Sequence, residues 1–202
     1  MKKGLLAVLL AVAMVVPAFA AKGDMSVNAK LGLGINNSLS WYAGGTSGAY
    51  YKWDTEMPFS IGAEFFYGLM DNLSVGLGVN YVFDTNSKSD EFLFGTFKQK
   101  VGTTNVYLAV KPEVKVESNI FSSVYLIGQA GLSLGRFEFE DVSGSLDTKS
   151  GLYLGFGMGT TIKDCVIVEL VFSSANFALE ESLEADLQYT GTTINVGYKF
   201  AL

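Results

Sequence analysis

Ile194-Asn195-Val196-Gly197-Tyr198-Lys199-Phe200-Ala201-Leu202, the last nine residues of the chain, alternate bulky apolar side chains with small or polar ones. Successive side chains of a strand point to opposite faces. Ile194, Val196, Tyr198, Phe200 and Leu202 therefore form one greasy row, and Asn195, Gly197 and Lys199 fall on the other. A greasy row needs burial, in a protein core or in lipid.

The opposite end of the chain narrows that choice. Lys2 and Lys3 precede an apolar run from Leu5 to Val16, then Pro17 and the small-x-small site Ala18-Phe19-Ala20. This order reads as a cleavable export signal over residues 1–20, with a mature chain, 21–202, starting at Ala21. The run is shorter than the ~20 apolar residues of a helical span, and residue 21 is Ala, so no lipid-modified Cys is expected. Hydrophobic residues nevertheless make up 49% of the chain and charged ones 17%. Lipid cannot satisfy open backbone groups, so a membrane chain without a spanning helix must close into a barrel.

Read in twos, the mature sequence resolves into eight apolar-alternating segments. Seven precede the C-terminal one: 27–35, 59–68, 73–83, 104–115, 124–135, 152–160 and 166–173. Every charge within the eight (Lys30, Glu64, Lys111, Glu113, Lys115, Glu169, Lys199) lands on the less apolar face. A Lys or Arg facing lipid at the midplane costs about 2–4 kcal/mol, which explains the sorting. The expected fold is all-β, an eight-stranded antiparallel up-and-down transmembrane β-barrel, with a narrow polar interior and lipid outside. Short turns at 69–72, 117–121 and 162–165 alternate with long connections at 36–57, 84–102, 136–149 and 174–186. Short periplasmic turns and long outer loops are the rule for such barrels, so both termini are expected in the periplasm and no second domain after the barrel.

Fourteen basic against twenty acidic residues give a net charge of −6, which argues against nucleic acid as a partner. The chain has no His, which removes the commonest general base and metal ligand. No enzymatic activity, metal or cofactor is expected. Cys165 stands alone and reads as a small hydrophobe. Gly155-x-Gly157-x-Gly159 lacks the spacing of a nucleotide loop, and reads instead as glycines making room inside a narrow barrel.

The Asp71-Asn72-Leu73-Ser74 turn, the glycine-alternating stretches 125–135 and 151–159, and the Tyr198-x-Phe200 ending together resemble the OmpA-like and opacity-type small outer-membrane barrels. The resemblance covers essentially the whole mature chain. It implies insertion by the outer-membrane assembly machinery and a role between envelope integrity and adhesion. Tyr198, Phe200 and Leu202 match the family's C-terminal assembly signal, although family barrels usually end in Phe or Trp and this chain ends in Leu.

Two groups of residues are candidates for function. Lys30, Glu64, Lys111, Glu113, Glu169 and Lys199 face inward and either lock one another as ion pairs or line an ion path. An eight-stranded barrel is just wide enough for side chains to fill, which favours locking; Glu169 and Lys199 are expected to pair. Trp41, Tyr42, Tyr50, Tyr51 and Trp53 lie among glycines in the first long connection, a mixture found in binding surfaces and also in interfacial aromatic belts. Acidic runs at 138–147 and 180–186 suit either plain solvation or divalent cations bridging to lipopolysaccharide.

The reading is a monomeric barrel in the outer membrane of a Gram-negative-type bacterium, plugged, with a structural or interactive role through four outer loops. Its expected partners are outer-membrane lipid and lipopolysaccharide, the assembly machinery, and an extracellular ligand at the loops. The alternative is a narrow pore for ions or small polar solutes.

Overall fold

The computed structural model describes residues 23–43, 49–88, 98–139, 145–147, 150–178 and 185–202. The expected export signal lies outside them. The strands are β1 (Met25–Ala43), β2 (Ala49–Asp54), β3 (Phe59–Met70), β4 (Leu73–Lys88), β5 (Lys98–Lys115), β6 (Phe121–Phe139), β7 (Ser145–Asp147), β8 (Gly151–Ile162), β9 (Val166–Ala178) and β10 (Ala185–Ala201). Eight of them follow one another as β1-β3-β4-β5-β6-β8-β9-β10, and β10 pairs back onto β1. Every pairing is antiparallel, from Ser26 opposite Ala201 to Ala43 opposite Ala185 at the closing seam. The fold is the eight-stranded up-and-down barrel, closed so that no strand edge faces lipid in its lower half.

At one end the strands are joined by tight turns. Lys163 and Asp164 both take the left-handed conformation (φ 49° and 60°), and the Cys165 N–H donates to the Ile162 carbonyl at 3.2 Å. Positive φ at both central residues matches the right-handed twist of the flanking strands. The other end carries the long connections. There the strands run well past the apolar alternation, so the four long loops anticipated from sequence are much shorter: 36–43, 49–54, 84–88, 98–102, 136–139 and 174–178 are all strand. β2 continues the hairpin of β1, with Ser38 opposite Asp54 and Ala43 opposite Ala49. β7 likewise pairs with the end of β6.

The wall is turned as its alternation requires. Leu31, Leu108, Leu126, Leu154, Phe156 and Val196 stand outward, about half exposed, while Lys30, Glu64, Tyr107, Lys111, Tyr125 and Glu169 are buried inside. Near the loop end the interior changes character. A register shift between Gly34 and Asn36 puts an extra residue into β1, which exchanges its two faces and turns Leu39 inward. Leu39 joins Val101, Ala175, Phe177, Leu187 and Tyr189 at the upper end of a buried apolar cluster that continues down to Ala109, Ile127 and Phe66. The narrow polar interior expected along the whole barrel therefore gives way to apolar side chains at the loop end, and lower down the charges share it with Phe66, Ile127 and Ile167.

Candidate functional site: the sealed lumen

Six strands bring the central group together. Lys30 on β1, inward by the alternation 28-30-32, reaches two carboxylates at once: its Nζ lies 2.6 Å from Glu64 Oε1 and 2.8 Å from Glu169 Oε2. All three residues are almost without solvent exposure. A buried carboxylate persists in charged form only when paired and hydrogen-bonded, and tyrosines with the Asn28 and Gln129 amides supply the remaining bonds. The Tyr107 hydroxyl donates to Glu64 Oε1 at 2.9 Å and the Tyr125 hydroxyl to Glu169 Oε1 at 2.9 Å. Gln129 Nε2 donates to Glu64 at 3.2 Å and itself accepts from the Tyr153 hydroxyl at 2.8 Å. Chain positions from 30 to 169 are thus tied across the axis of the barrel.

Glycines make this layer possible. A Cβ on Gly78 would run into the Tyr107 ring, and one on Gly159 would meet the Tyr125 ring 2.6 Å away. The glycine alternation therefore leaves room for the tyrosines that hold the carboxylates.

Toward the turn end a second layer follows. The Lys111 ammonium lies 3.3 Å from Glu113 and rests over the rings of Phe66 and Tyr125, 4.7 and 4.8 Å from their centroids. Below it the barrel opens into a polar vestibule of about 490 Å³, lined in part by Lys115 and Lys199. Toward the loop end, a chamber of only about 30 Å³ lies between Lys30 and the side chains of Ala175 and Tyr189. The lumen is thereby closed twice, once by charge and once by hydrocarbon.

Of the inward residues anticipated from sequence, Lys30, Glu64 and Glu169 meet in one layer and Lys111 with Glu113 in the next. The pairing of Glu169 with Lys199 does not form. Glu169 stands opposite Asn195, whereas Lys199 stands opposite Asn28 in the last rungs of β10. Four residues of strand separate Asn195 from Lys199, about 13 Å at the usual rise. The period-two alternation also puts Tyr107, Tyr125, Tyr153 and Gln129 on the inward rows. The signal was available: a buried phenol needs a hydrogen-bond partner, and three on the inward rows demand acceptors.

The outer hairpin puts the first-loop aromatics at facing or nearby register positions. Trp41 and Tyr42 lie on β1 opposite Tyr51 and Tyr50, and Trp53 lies opposite Leu39. The Tyr42 hydroxyl donates to Gln188 Oε1 of β10 at 3.4 Å. Tyr198 and Phe200 stand outward at the turn end, their rings 4.7 Å apart. Acidic residues 140–141 and 180–184 lie outside the described residues.

A family model described as an outer membrane protein beta-barrel domain matches residues 5–200. Among solved structures, the chain is similar to Ail, the attachment invasion locus protein of Yersinia pestis, seen in complex with the heparin analogue sucrose octasulfate: 15% identity, 89% of this chain and 100% of that one covered, TM-score 0.51. It is also similar to the outer membrane protein OprG of Pseudomonas aeruginosa, at 15% identity over 88% of this chain and 96% of that one, TM-score 0.50. The outer membrane protease OmpT of Escherichia coli aligns at 9% identity over 88% of this chain and 97% of that one, TM-score 0.41. By sequence, no curated protein matches the chain.

Proposed function

Since the chain belongs to the outer membrane protein β-barrel family, we propose that it is a non-conducting barrel with a structural or interactive role, exercised through the hairpins and wall of its outer end. One observation carries this reading: Lys30 bridges Glu64 and Glu169 across the lumen. An ion crossing there would have to part buried charges, and breaking such a pair costs about 3–5 kcal/mol.

The chain works without catalysis. It has no His for a general base, and its central carboxylates are spent on one lysine and two phenols. It is exported through a cleaved signal, inserted by the assembly machinery through the Tyr198-Phe200-Leu202 ending, and sits as a monomer in lipid and lipopolysaccharide. The paired aromatics of β1 and β2 form the surface for an extracellular ligand.

The decisive experiment is single-channel recording of the mature protein refolded into a planar bilayer, with heat-modifiable mobility as the check that the barrel has formed. The expected result is a folded barrel without resolvable conductance steps. Steady conductance from the folded protein would make it a narrow pore for ions or small polar solutes instead. Interaction is tested by replacing Trp41, Tyr42, Tyr51 and Trp53 together with Ser and comparing cell-surface adhesion of strains carrying either form.

A further inference from the structure

The vestibule at the turn end carries its charges in two tiers. Its floor is Lys111, only 3% exposed, with the ammonium over the rings of Phe66 and Tyr125 and its charge answered by Glu113 at 3.3 Å. Lys199 lines the same space from β10, on the far side of the barrel from β5. It is half-buried and has no ion-pair partner among the described residues. The inner tier therefore holds one positive charge over.

A second unfilled group stands beside it. Ser26 is 6% exposed and lines the vestibule, and its hydroxyl has no hydrogen-bond partner among the described residues. Ser26 stands opposite Ala201 and Asn28 opposite Lys199, so Ser26 and Lys199 are diagonal neighbours on the inward rows of adjacent strands. An ammonium and a hydroxyl that both donate make a seat for one carboxylate. The central layer lies four residues of β1 above Ser26, about 13 Å at the usual rise, with Lys111 between.

The mouth has the opposite sign. Asp24, Asp71 and Lys115 line it, all three exposed, which leaves one negative charge over. Neither aspartate has an ion-pair partner among the described residues. The Gly68 N–H donates to the Asp24 carbonyl at 2.9 Å, which keeps Asp24 on the ladder of β1 and β3. Asp24 and Ser26 are then successive positions of one row, about 7 Å apart. A chain with roughly three methylenes between its charged ends spans that gap.

We propose that the vestibule is a binding site for a short linear zwitterion, its carboxylate held inward by Lys199 and Ser26 and its ammonium outward by Asp24 and Asp71. Because Lys111 shuts the floor, the ligand is held at the turn end and not passed through. The site stands apart from the outer hairpins, and either can fail without the other.

The test is a titration of the mature protein in dodecyl maltoside micelles with 4-aminobutyrate, read by amide chemical shifts, with butyrate and butylammonium as single-charge controls. The expected result is saturable shifts at 24–26 and 199–201, with 4-aminobutyrate bound about fivefold tighter than either control, the worth of one partly exposed ion pair. Lys199→Gln should weaken 4-aminobutyrate and butyrate alike, by about fivefold. Asp24→Asn should weaken 4-aminobutyrate about threefold and strengthen butyrate, since it removes an attraction for one and a repulsion for the other. Heat-modifiable mobility reports the folding of each variant, and Ser26→Ala replaces Lys199→Gln if that variant fails to fold. Equal affinity for the three probes would reduce the vestibule to a solvated mouth and overturn the site. Shifts that are absent or never saturate would overturn it too, as would butyrate binding that falls in Asp24→Asn.

Discussion

The two halves of this barrel solve one problem in opposite ways. Below, at the level of Lys30 and Leu108, the wall is apolar outside and the interior holds ion pairs. Above, around Leu39 and Phe177, the interior is apolar. The outer wall there carries polar side chains: Ser38 and Thr190 hydroxyls lie 3.0 Å apart, and Gln188 Nε2 donates to Ser174 at 3.3 Å. The same strands run through both halves, so solvent alone decides which face takes the hydrocarbon. In lipid the outward row saves free energy by being greasy; in water the hydrophobic effect acts inward, as in any small soluble barrel. A single extra residue in β1 lets one strand obey both rules.

The largest effect is expected where charge is buried. Lys30→Met leaves Glu64 and Glu169 facing each other without a cation, and should cost about 3–5 kcal/mol of stability, read as a lower urea midpoint for unfolding from lipid vesicles. The triple variant Lys30→Met, Glu64→Gln, Glu169→Gln should regain most of that loss, because no charge is left unpaired. If the single change is nearly silent, the lower half is not held by this layer.

Next in size comes the apolar cluster of the upper half. Leu39→Ala removes a fully buried side chain and should cost roughly 2–5 kcal/mol if the outer end has a true core. Hydrogen exchange should locate the loosening in 36–43 and 185–190 and leave the amides around Lys30 protected. Exchange that rose evenly along β1 would show the two halves to be one cooperative unit.

A matched pair of substitutions sharpens the contrast. Leu108→Lys, on the outward face of the lower half, should cost about 2–4 kcal/mol. Asn176→Lys, exposed on the upper part of β9, should stay within about 0.5 kcal/mol. Equal costs in vesicles would mean that the bilayer reaches higher up the wall than the apolar rows suggest.

The same contrast explains what the sequence reveals. Period-two apolarity marks a strand only where one face meets lipid, so the lower segments are legible nearly to the residue: 59–68 anticipated against Phe59–Met70 found. Above the bilayer the outward face turns polar and the signal stops, although the backbone pairing continues. That is why Ser38, Ser40 and Ser174 read as loop and are strand. The inward charges are legible as a set because lipid excludes them from the other face. Their partners are not, since pairing depends on stagger between strands far apart in sequence, and the partner of Glu169 proved to be Lys30 on β1 instead of Lys199 on the neighbouring β10.

Gly159 tests how tightly the lower layer is built. Its Cβ position falls 2.6 Å from the Tyr125 ring, so Gly159→Ala must displace the phenol that donates to Glu169. Overpacking of this kind costs about 1–3 kcal/mol, whereas added β propensity would by itself favour Ala. The two effects separate in a double variant: with Tyr125→Phe the hydroxyl is gone but the ring remains, and the cost of Gly159→Ala should persist. With Tyr125→Ala the clash disappears, and the alanine should become neutral or stabilising. If the cost survives removal of the ring, the glycine is required by the backbone and not by the side chains that seal the lumen.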